Sequence, residues 1–241
     1  MFAKLKEIIS GACRVCGFEI IRTKDGKIKR DGISFCDDVK KRYENVATIF
    51  DIGAHHGGST IKFRQKFEAS DIYSFEPVES NYEKIRNNIQ GEKIKVYNIG
   101  MSDTKGEKEI YIKEDSKNHS VEKSKKGDET EKSEFSTVDN FCDKKSIQKI
   151  GILKVDTEGH DVSVLKGAKS MLEKGGVKFV LAEVTLQRED SDFCNFVEVR
   201  DILYEGGFKL MGVYDQTINF DERHMPLLFA NAGFVHNSVS V

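Results

Sequence analysis

The sequence ATIFDIGAHHGGST, residues 47–60, decides how this chain folds. Its apolar start, Thr48 to Phe50, predicts a short buried strand. An acid, Asp51, follows the strand and leads into a glycine-rich turn, after which a helix is predicted. A strand, a glycine turn and a helix in this order are typical of the first unit of a nucleotide-binding α/β sheet.

The glycines of this turn let the backbone approach a ligand closely. Gly53 and Gly57 carry no Cβ, so the chain can turn sharply at both positions. Ser59 or Thr60 can cap the helix, which we predict to continue through Phe67. Because the first N–H groups of a helix have no partner within it, we expect a ligand to bind beside this turn.

The spacing of the glycines indicates which class of nucleotide ligand the turn can bind. Gly53-x-x-x-Gly57 is not the G-x-G-x-x-G fingerprint of dinucleotide enzymes, and no G-K-[ST] sequence is present. A second predicted strand, Asp71 to Phe75, is followed by Glu76, an acid suited to binding ribose hydroxyls. These features fit a nucleoside without phosphates, and S-adenosylmethionine (SAM) is the candidate cofactor.

Composition predicts a soluble protein of one α/β domain with a modest extension. The 241 residues are 38% hydrophobic and 32% charged, and the net charge is -2. A chain without a basic excess is not expected to have nucleic acid as its main partner. No apolar run reaches the roughly 18 residues of a membrane span, and no signal-peptide pattern occurs, so we expect a cytoplasmic location.

Residues 1–45 form a predicted extension of an amphipathic helix and a hairpin, and residues 46–241 form the main domain. The apolar face of that helix is expected to pack on the main domain; a second copy of the chain or a membrane surface is the alternative.

Residues 113–134 are very polar and predict a mobile loop, which could serve as a lid. Cys13 and Cys16 lack the second pair that a zinc site needs, so we expect reduced thiols.

Alternating strand and helix patterns predict a doubly wound, mostly parallel sheet of seven strands. A buried strand ends at Asp156, and another covers Val177 to Val184. The last two predicted strands, Phe208 to Tyr214 and Leu227 to Val235, follow a helix and are separated only by a loop. This ending indicates a reversed C-terminal strand, as in the sheets of SAM-dependent methyltransferases.

Five acids lie at the ends of predicted strands: Asp51, Glu76, Asp156, Glu158 and Glu183. Because the carboxyl ends of parallel strands meet at one edge of a sheet, we expect these acids to converge there. Single acids in such turns are usually helix caps, but five at one edge indicate a binding or catalytic site.

A third predicted strand, Ile94 to Gly100, ends just before Ser102 and Asp103. At that edge both residues would lie near the adenine, and Asp103 could accept a hydrogen bond from its amino group. A plain turn is the alternative, because Ser-Asp-x-x-Gly is common in loops.

Four blocks in a fixed order resemble the FkbM family of SAM-dependent methyltransferases: DIGAHHGGST, FEP, N-x-G-x-SD-x-x-G and LKVDTEGHDVSVLKGA. The resemblance extends from about Val46 to Phe234. It implies the class I, Rossmann-like fold and an O-methyltransferase acting on hydroxyls of bacterial polyketides, sugars or glycans.

The resemblance also implies residue roles. Asp51, Gly53 and Gly57 would shape the SAM pocket, Glu76 would hold the ribose, and Ser102 and Asp103 the adenine. His55 stands where the family usually has asparagine, and could hydrogen-bond the methionine part of SAM. His160 stands where alanine is frequent, so it is either incidental or a catalytic addition.

Transfer of a methyl group to a hydroxyl needs a proton acceptor. Asp156 and Glu158 are the first candidates by position, and His160 and His119 are the second choice. Alternatively, Asp156, Glu158 and Glu183 could hold a divalent ion, but no ligand spacing demands a metal, and we expect none.

Two other classes of function stay open. N-methylation of an amine or amino sugar would use the same pocket with another acceptor. A SAM-binding module without catalysis would use the acids only as helix caps. A nicotinamide oxidoreductase is less favoured because the glycine fingerprint is incomplete.

Overall fold

The computed structural model describes residues 21–22, 28–29, 34–89, 91–112, 129–186, 194–218 and 227–239. Their strands are β1 (Ile21–Arg22), β2 (Ile28–Lys29), β3 (Thr48–Ile52), β4 (Asp71–Phe75), β5 (Ile94–Tyr97), β6 (Gly100–Met101), β7 (Gly106–Ile112), β8 (Glu129–Ser136), β9 (Ile150–Val155), β10 (Val177–Thr185), β11 (Phe208–Ile218) and β12 (Leu227–His236). Their helices are α1 (Phe35–Arg42), α2 (Gly58–Lys66), α3 (Glu79–Asn88), α4 (Val138–Lys145), α5 (Asp161–Lys166), α6 (Lys169–Glu173) and α7 (Phe196–Glu205).

A seven-stranded sheet with the order β11-β12-β10-β9-β3-β4-β5 forms the centre of the molecule. The pairs from β10 to β5 are parallel, whereas β12 runs antiparallel to both of its neighbours. The predicted fold class, with its reversed C-terminal strand, is therefore confirmed. The chain winds outward from β3 to β5 and then returns to β9, so β3 and β9 flank the topological switch point where ligands bind in such sheets.

Both faces of the sheet are covered, which explains why its central strands are mostly apolar, with Asp51 in β3 and Lys154 in β9 as charged exceptions. All six residues of β9 are buried. Along β3, Ile49 packs into one cluster, with Phe63, Ile72 and Phe179. Its neighbour Phe50 packs into the other, with Phe75, Phe141 and Leu153. Successive side chains of a strand point to opposite faces, so a strand buried on both sides carries no polar alternation.

The first helix after β3 begins differently from the prediction. Helix α2 starts at Gly58, and Gly57 occupies its N-cap with φ +83° and without a side-chain cap. Ser59 and Thr60 therefore lie inside the helix, and the prediction that one of them caps it is wrong. The side chain of Thr60 instead points into the protein, where its hydroxyl donates a hydrogen bond to Asp51 of strand β3.

A second, three-stranded sheet with the order β6-β8-β7 lies beside the main one. The third predicted strand was expected to continue to Gly100, but β5 ends at Tyr97 and Gly100–Met101 joins the small sheet as β6. Residues 129–134 were predicted as the end of a mobile loop, yet they pair with β7 in strand β8. The polar sequence misled the prediction because exposed residues such as Lys132 and Glu134 alternate with buried ones such as Ser133 and Phe135 along β8.

Part of the predicted N-terminal extension packs on the main domain. Phe35 and Val39 of α1 are buried, and the Tyr214 hydroxyl of β11 donates to Asp38 at 2.7 Å. The amphipathic helix predicted before residue 20, the Cys13/Cys16 pair and residues 113–128 with His119 lie outside the described residues. Within the described part of the chain, no helix is long and apolar enough to cross a membrane.

Candidate functional site

A cavity opens at the carboxyl ends of β3, β4 and β9, at the predicted edge of the sheet. One part of its lining is apolar: Phe75, Val78, Ile99, Met101, Ile110 and Phe135. The other part is polar: Gly53, His55, Glu76, Asp156, Glu158 and His160. A concave site with an apolar wall and a few convergent polar groups is typical of small-molecule binding.

The glycine turn after β3 is shaped by close backbone contact. Gly53 has φ +75°, and a Cβ there would lie 1.8 Å from the Asp156 carbonyl oxygen. Gly57 has φ +83°, and its Cβ would lie 2.3 Å from Ile89 Cδ1. Gly53 lines the cavity and Gly57 does not, and at both positions a Cβ would require a neighbouring atom to shift.

Glu76 lies at the end of β4 and is 5% exposed. Its carboxylate accepts hydrogen bonds from two backbone N–H groups, those of His55 at 2.8 Å and Val78 at 3.1 Å. Burial raises the pKa of Glu76 to about 7, although both hydrogen bonds favour its ionised form. The two N–H groups fix the orientation of the carboxylate at the wall of the cavity.

Asp51 does not line the cavity but lies behind its wall, next to Lys154. It is fully buried, accepts a 2.6 Å hydrogen bond from the Thr60 hydroxyl, and lies 3.2 Å from the Lys154 ammonium. Lys154 in turn contacts Asp156 at 3.2 Å. Burial alone would lower the pKa of Lys154, but the two carboxylates outweigh burial and hold it above its usual range. None of the predicted site residues Asp51, Ser59 and Thr60 lines the cavity. Asp51 and Thr60 are connected to it through Lys154.

Acidic side chains cluster at the polar end of the cavity. Carboxylate oxygens of Asp156, Glu158 and Glu183 lie within 4.8 Å of one another. Burial and the negative charges of Asp156 and Glu158 raise the pKa of Glu183 to about 9, and Glu183 hydrogen-bonds Asp156. A hydrogen bond between two carboxyl groups needs a proton between them, so this pair carries one near neutral pH. We call Asp156, Glu158 and Glu183 the acid cluster.

The sequence placed these three acids together as the alternative metal site, and the structure does bring them together. Their oxygen ligands and spacing suit a small divalent cation. However, the Lys154 ammonium already lies beside Asp156, and the proton shared with Glu183 neutralises part of the remaining charge. The metal-free interpretation therefore stays our prediction.

His160 and Ser102 meet at the boundary between the cavity and the small sheet. His160 is 6% exposed, and its Nε2 lies 2.9 Å from the Ser102 hydroxyl, which also accepts from Lys108 at 2.5 Å. The Ser102 hydroxyl donates to Asp103 at 3.0 Å. Because a hydroxyl has only one proton, His160 Nε2–H is then the donor to Ser102.

The cavity lining does not include Ser102 or Asp103, to which adenine binding was assigned. Ser102 is fully buried in the network just described, and Asp103 is exposed and lies 3.8 Å from Lys108. The cavity wall in this region is built instead by the residues just before them, Ile99 to Met101. Because β5 ends at Tyr97, three residues before its predicted end, the residues that line the cavity also come earlier in the sequence.

Sequence reasoning missed two contributions to the site. Ile110 and Phe135 come from the β7–β8 hairpin and line the cavity, but a polar hairpin gave no signal of this. Lys154 supports the cavity floor, and here a signal existed: a lysine stands within the otherwise apolar strand Ile-Gly-Ile-Leu-Lys-Val. A buried charge in a strand indicates a partnered, functional position.

Solved structures match this chain at low similarity. A precorrin-6y C5,15-methyltransferase from Geobacter metallireducens GS-15 has 8% identity and a TM-score of 0.48, over 83% of this chain and 85% of that one. The magnesium protoporphyrin IX methyltransferase ChlM from Synechocystis PCC 6803, solved with bound SAM, has 10% identity and a TM-score of 0.47, over 80% and 73%. The [4+2]-cyclase SpnF has 8% identity and a TM-score of 0.47, over 83% and 78%.

These likenesses say nothing about substrate, because one fold hosts many activities. Comparison of the sequence with curated proteins gave no match. The model of the methyltransferase FkbM domain matches residues 51–210, more than half of the 241 residues. The matched region contains the glycine turn, Glu76, Lys154 and the acid cluster. The chain therefore belongs to the FkbM family of methyltransferases.

Proposed function

We propose that this methyltransferase uses SAM to methylate a hydroxyl group of a sugar, a glycan or a related bacterial natural product. The observation that carries the proposal is the presence, in one cavity, of a buried acid suited to ribose at one side and the acid cluster at the other. The first matches a nucleoside cofactor, and the second matches an acceptor that must lose a proton.

The residues of the cavity fit SAM. Glu76 would accept hydrogen bonds from the ribose hydroxyls, the glycine turn would lie against the amino-acid part, and the apolar wall of Val78, Ile110 and Phe135 would cover the adenine. Bound SAM supplies a methyl group on a positively charged sulfur. The absence of a phosphate-binding motif in the sequence agrees with a cofactor that has no phosphates.

The protein's own contribution to transfer is alignment and proton acceptance. Holding two reactants in line can contribute up to roughly 7–11 kcal/mol. A carboxylate oxygen of Asp156 or Glu158 would accept the proton of the acceptor hydroxyl, and the proton shared with Glu183 would keep the cluster from carrying its full negative charge. His160 suits this role less: with Nε2–H donated to Ser102, the nitrogen left to accept a proton is Nδ1, and that atom is buried.

The charge of the cavity supports a neutral acceptor. Among the described residues at its polar end, the acid cluster faces a single ammonium, that of Lys154, whose contacts are with Asp51, Gly53 and Asp156. A phosphate or carboxylate next to the methylated atom would be repelled by the acids. A hydroxyl donates a hydrogen bond to them. An amine would also be attracted as its ammonium, which makes N-methylation of an amino sugar the second candidate.

The first test is calorimetric titration of the purified protein with SAM and with its demethylated product, S-adenosylhomocysteine. We expect micromolar binding that Glu76→Ala removes and that Glu79→Ala, an exposed acid three residues away, leaves intact. Absence of binding to the wild-type protein would overturn the cofactor assignment.

The second test offers neutral sugars, amino sugars and sugar phosphates side by side and measures release of S-adenosylhomocysteine, with Mg²⁺ and with EDTA. We expect turnover of a neutral hydroxyl acceptor in both conditions, and its loss in Asp156→Asn or Glu158→Gln. Turnover restricted to amines would favour N-methylation, and a requirement for Mg²⁺ would favour the metal alternative. Full activity of both variants would contradict a catalytic role for these acids.

A further inference from the structure

Lys154 is a buried charge in the centre of the sheet. Its side chain is 6% exposed, and the other residues of β9 are buried and apolar or glycine. An ammonium removed from water costs several kcal/mol unless charged or polar partners replace the water. Retaining a lysine in this position therefore indicates that the charge has a use.

Three oxygen atoms surround the ammonium. Nζ lies 3.1 Å from the Gly53 carbonyl oxygen, 3.2 Å from Asp51 Oδ1 and 3.2 Å from Asp156 Oδ2. The first contact is a hydrogen bond that the ammonium donates, and the other two are ion pairs with carboxylates. Lys154 is not among the residues that line the cavity, so its charge acts on the site through these three partners.

The three partners belong to different parts of the site. Gly53 is the first glycine of the turn after β3, and Asp156 is a member of the acid cluster after β9. Asp51 continues the network, because its other oxygen accepts from the Thr60 hydroxyl in α2. One ammonium thus connects the cofactor side of the cavity, the acceptor side and the helix that supports both.

We propose that Lys154 is a positioning residue that fixes the glycine turn and Asp156 relative to each other, and so aligns the amino-acid end of the cofactor with the acid cluster. The inference depends on the proposed function, since it takes SAM to be the ligand of the cavity. It predicts a larger effect at the amino-acid end than at the ribose, because Glu76 accepts its hydrogen bonds from the His55 and Val78 N–H groups and is affected by Lys154 only through its charge and the shared turn.

The test compares two probes by calorimetry: SAM, and 5′-methylthioadenosine, which has the adenosine and the sulfur but no amino-acid part. In Lys154→Met we expect SAM affinity to fall by roughly tenfold or more, as for loss of charge-assisted hydrogen bonds, while affinity for methylthioadenosine changes little. Lys149→Met, an exposed lysine just before β9, is the matched control and should bind both probes as the wild type does.

A double-mutant cycle shows whether Lys154 acts through Asp156. Asp156→Asn added to Lys154→Met should weaken SAM binding less than it does in the wild-type background, because the contact is already lost. Thermal unfolding of each variant confirms that it is folded. If Lys154→Met does not fold, Lys154→Gln, which removes the charge but keeps two N–H donors, replaces it.

The outcomes separate this inference from the proposed function. Equal loss of both probes in the Lys154 variant would indicate general damage to the fold, and unchanged binding of SAM would show that the lysine does not position its site; either result overturns the inference. A wild-type protein that binds neither probe would overturn the proposed function itself.

Discussion

At the scale of single residues, the site depends on acids that the fold removes from water. Glu76 is held by two backbone N–H groups, which fix its direction, yet burial still raises its pKa to about 7. An exposed acid at the same place would be ionised at every physiological pH. Burial makes the ionisation of Glu76 depend on what occupies the cavity.

This predicts a pH-dependent affinity for the cofactor. Ribose hydroxyls donate hydrogen bonds to the ionised carboxylate, so protonation competes with binding. As pH falls below the pKa of about 7, SAM affinity should weaken, approaching tenfold per pH unit well below it. Calorimetry at pH 6, 7 and 8, in buffers of different ionisation enthalpy, should also detect proton release on binding at pH 7.

Glu76→Gln is the control for this prediction, since it should bind weakly and without the pH dependence. An affinity of the wild-type protein that stays constant from pH 6 to pH 8 would contradict the role given to Glu76.

At the scale of elements, the start of α2 shows how two adjacent glycines differ in function. Gly57 has a left-handed backbone conformation and lies against Ile89. Gly58 begins the helix, and a Cβ there would have no atom within 4 Å. The sequence Gly-Gly does not distinguish them, but the helix boundary does.

We predict opposite effects of alanine at the two positions. Gly57→Ala should destabilise the protein by about 1–3 kcal/mol because it combines an unfavourable φ with a clash. Gly58→Ala should be neutral or stabilising by up to about 1 kcal/mol, because alanine is the better helix former. Urea denaturation of both variants measures this, and similar effects of the two substitutions would contradict the assigned helix start.

The β7–β8 hairpin is the element that closes the apolar side of the cavity. Phe135 is 3% exposed and lies over Gly100, where a Cβ would be 2.2 Å from its ring. The hairpin is anchored to the main domain by the Ser133 hydroxyl, which donates to the Pro77 carbonyl oxygen at 2.7 Å.

Phe135→Ala should therefore weaken SAM binding and destabilise the fold by about 3 kcal/mol, near the lower end for deletion of a buried aromatic ring. Lys132→Ala, an exposed position on the same strand, should leave both quantities unchanged. Calorimetry and thermal unfolding check the pair. Wild-type affinity in a folded Phe135→Ala variant would show that the hairpin does not contact the cofactor.

At the scale of the whole molecule, the buried acids of the site affect the global stability. The folded state raises the pKa of Asp161 to about 6, Glu76 to about 7 and Glu183 to about 9, in each case chiefly by burial. Above their unfolded pKa values of roughly 4, the unfolded chain releases these protons while the folded protein retains them. Folding is then linked to proton uptake, so stability declines as pH rises.

We therefore expect the free energy of unfolding of the ligand-free protein to fall by at least about 2 kcal/mol between pH 5 and pH 8. Lys154 does not offset this change, because its pKa is raised and the lysine stays protonated in both the folded and the unfolded state between pH 5 and pH 8. Glu183→Gln should be more stable than the wild type at pH 8 and should show a flatter profile. Stability that rises from pH 5 to pH 8 in urea titrations would contradict this account.

The sequence by itself determined the order of elements, the glycine turn, the strand-end acids and the family, because these depend on local periodicity, turn chemistry and motif spacing. Only the tertiary structure decided which residues face the cavity. A strand that ends at Tyr97 instead of Gly100 moved the lining from Ser102 and Asp103 to the three residues before Ser102. Phe135 reaches the site through pairing between distant strands, and such long-range packing leaves little trace in a local pattern. Lys154 stands out in the sequence as a charge within an apolar strand, but only the packing of β3 beside β9 shows that Asp51 is one of its partners.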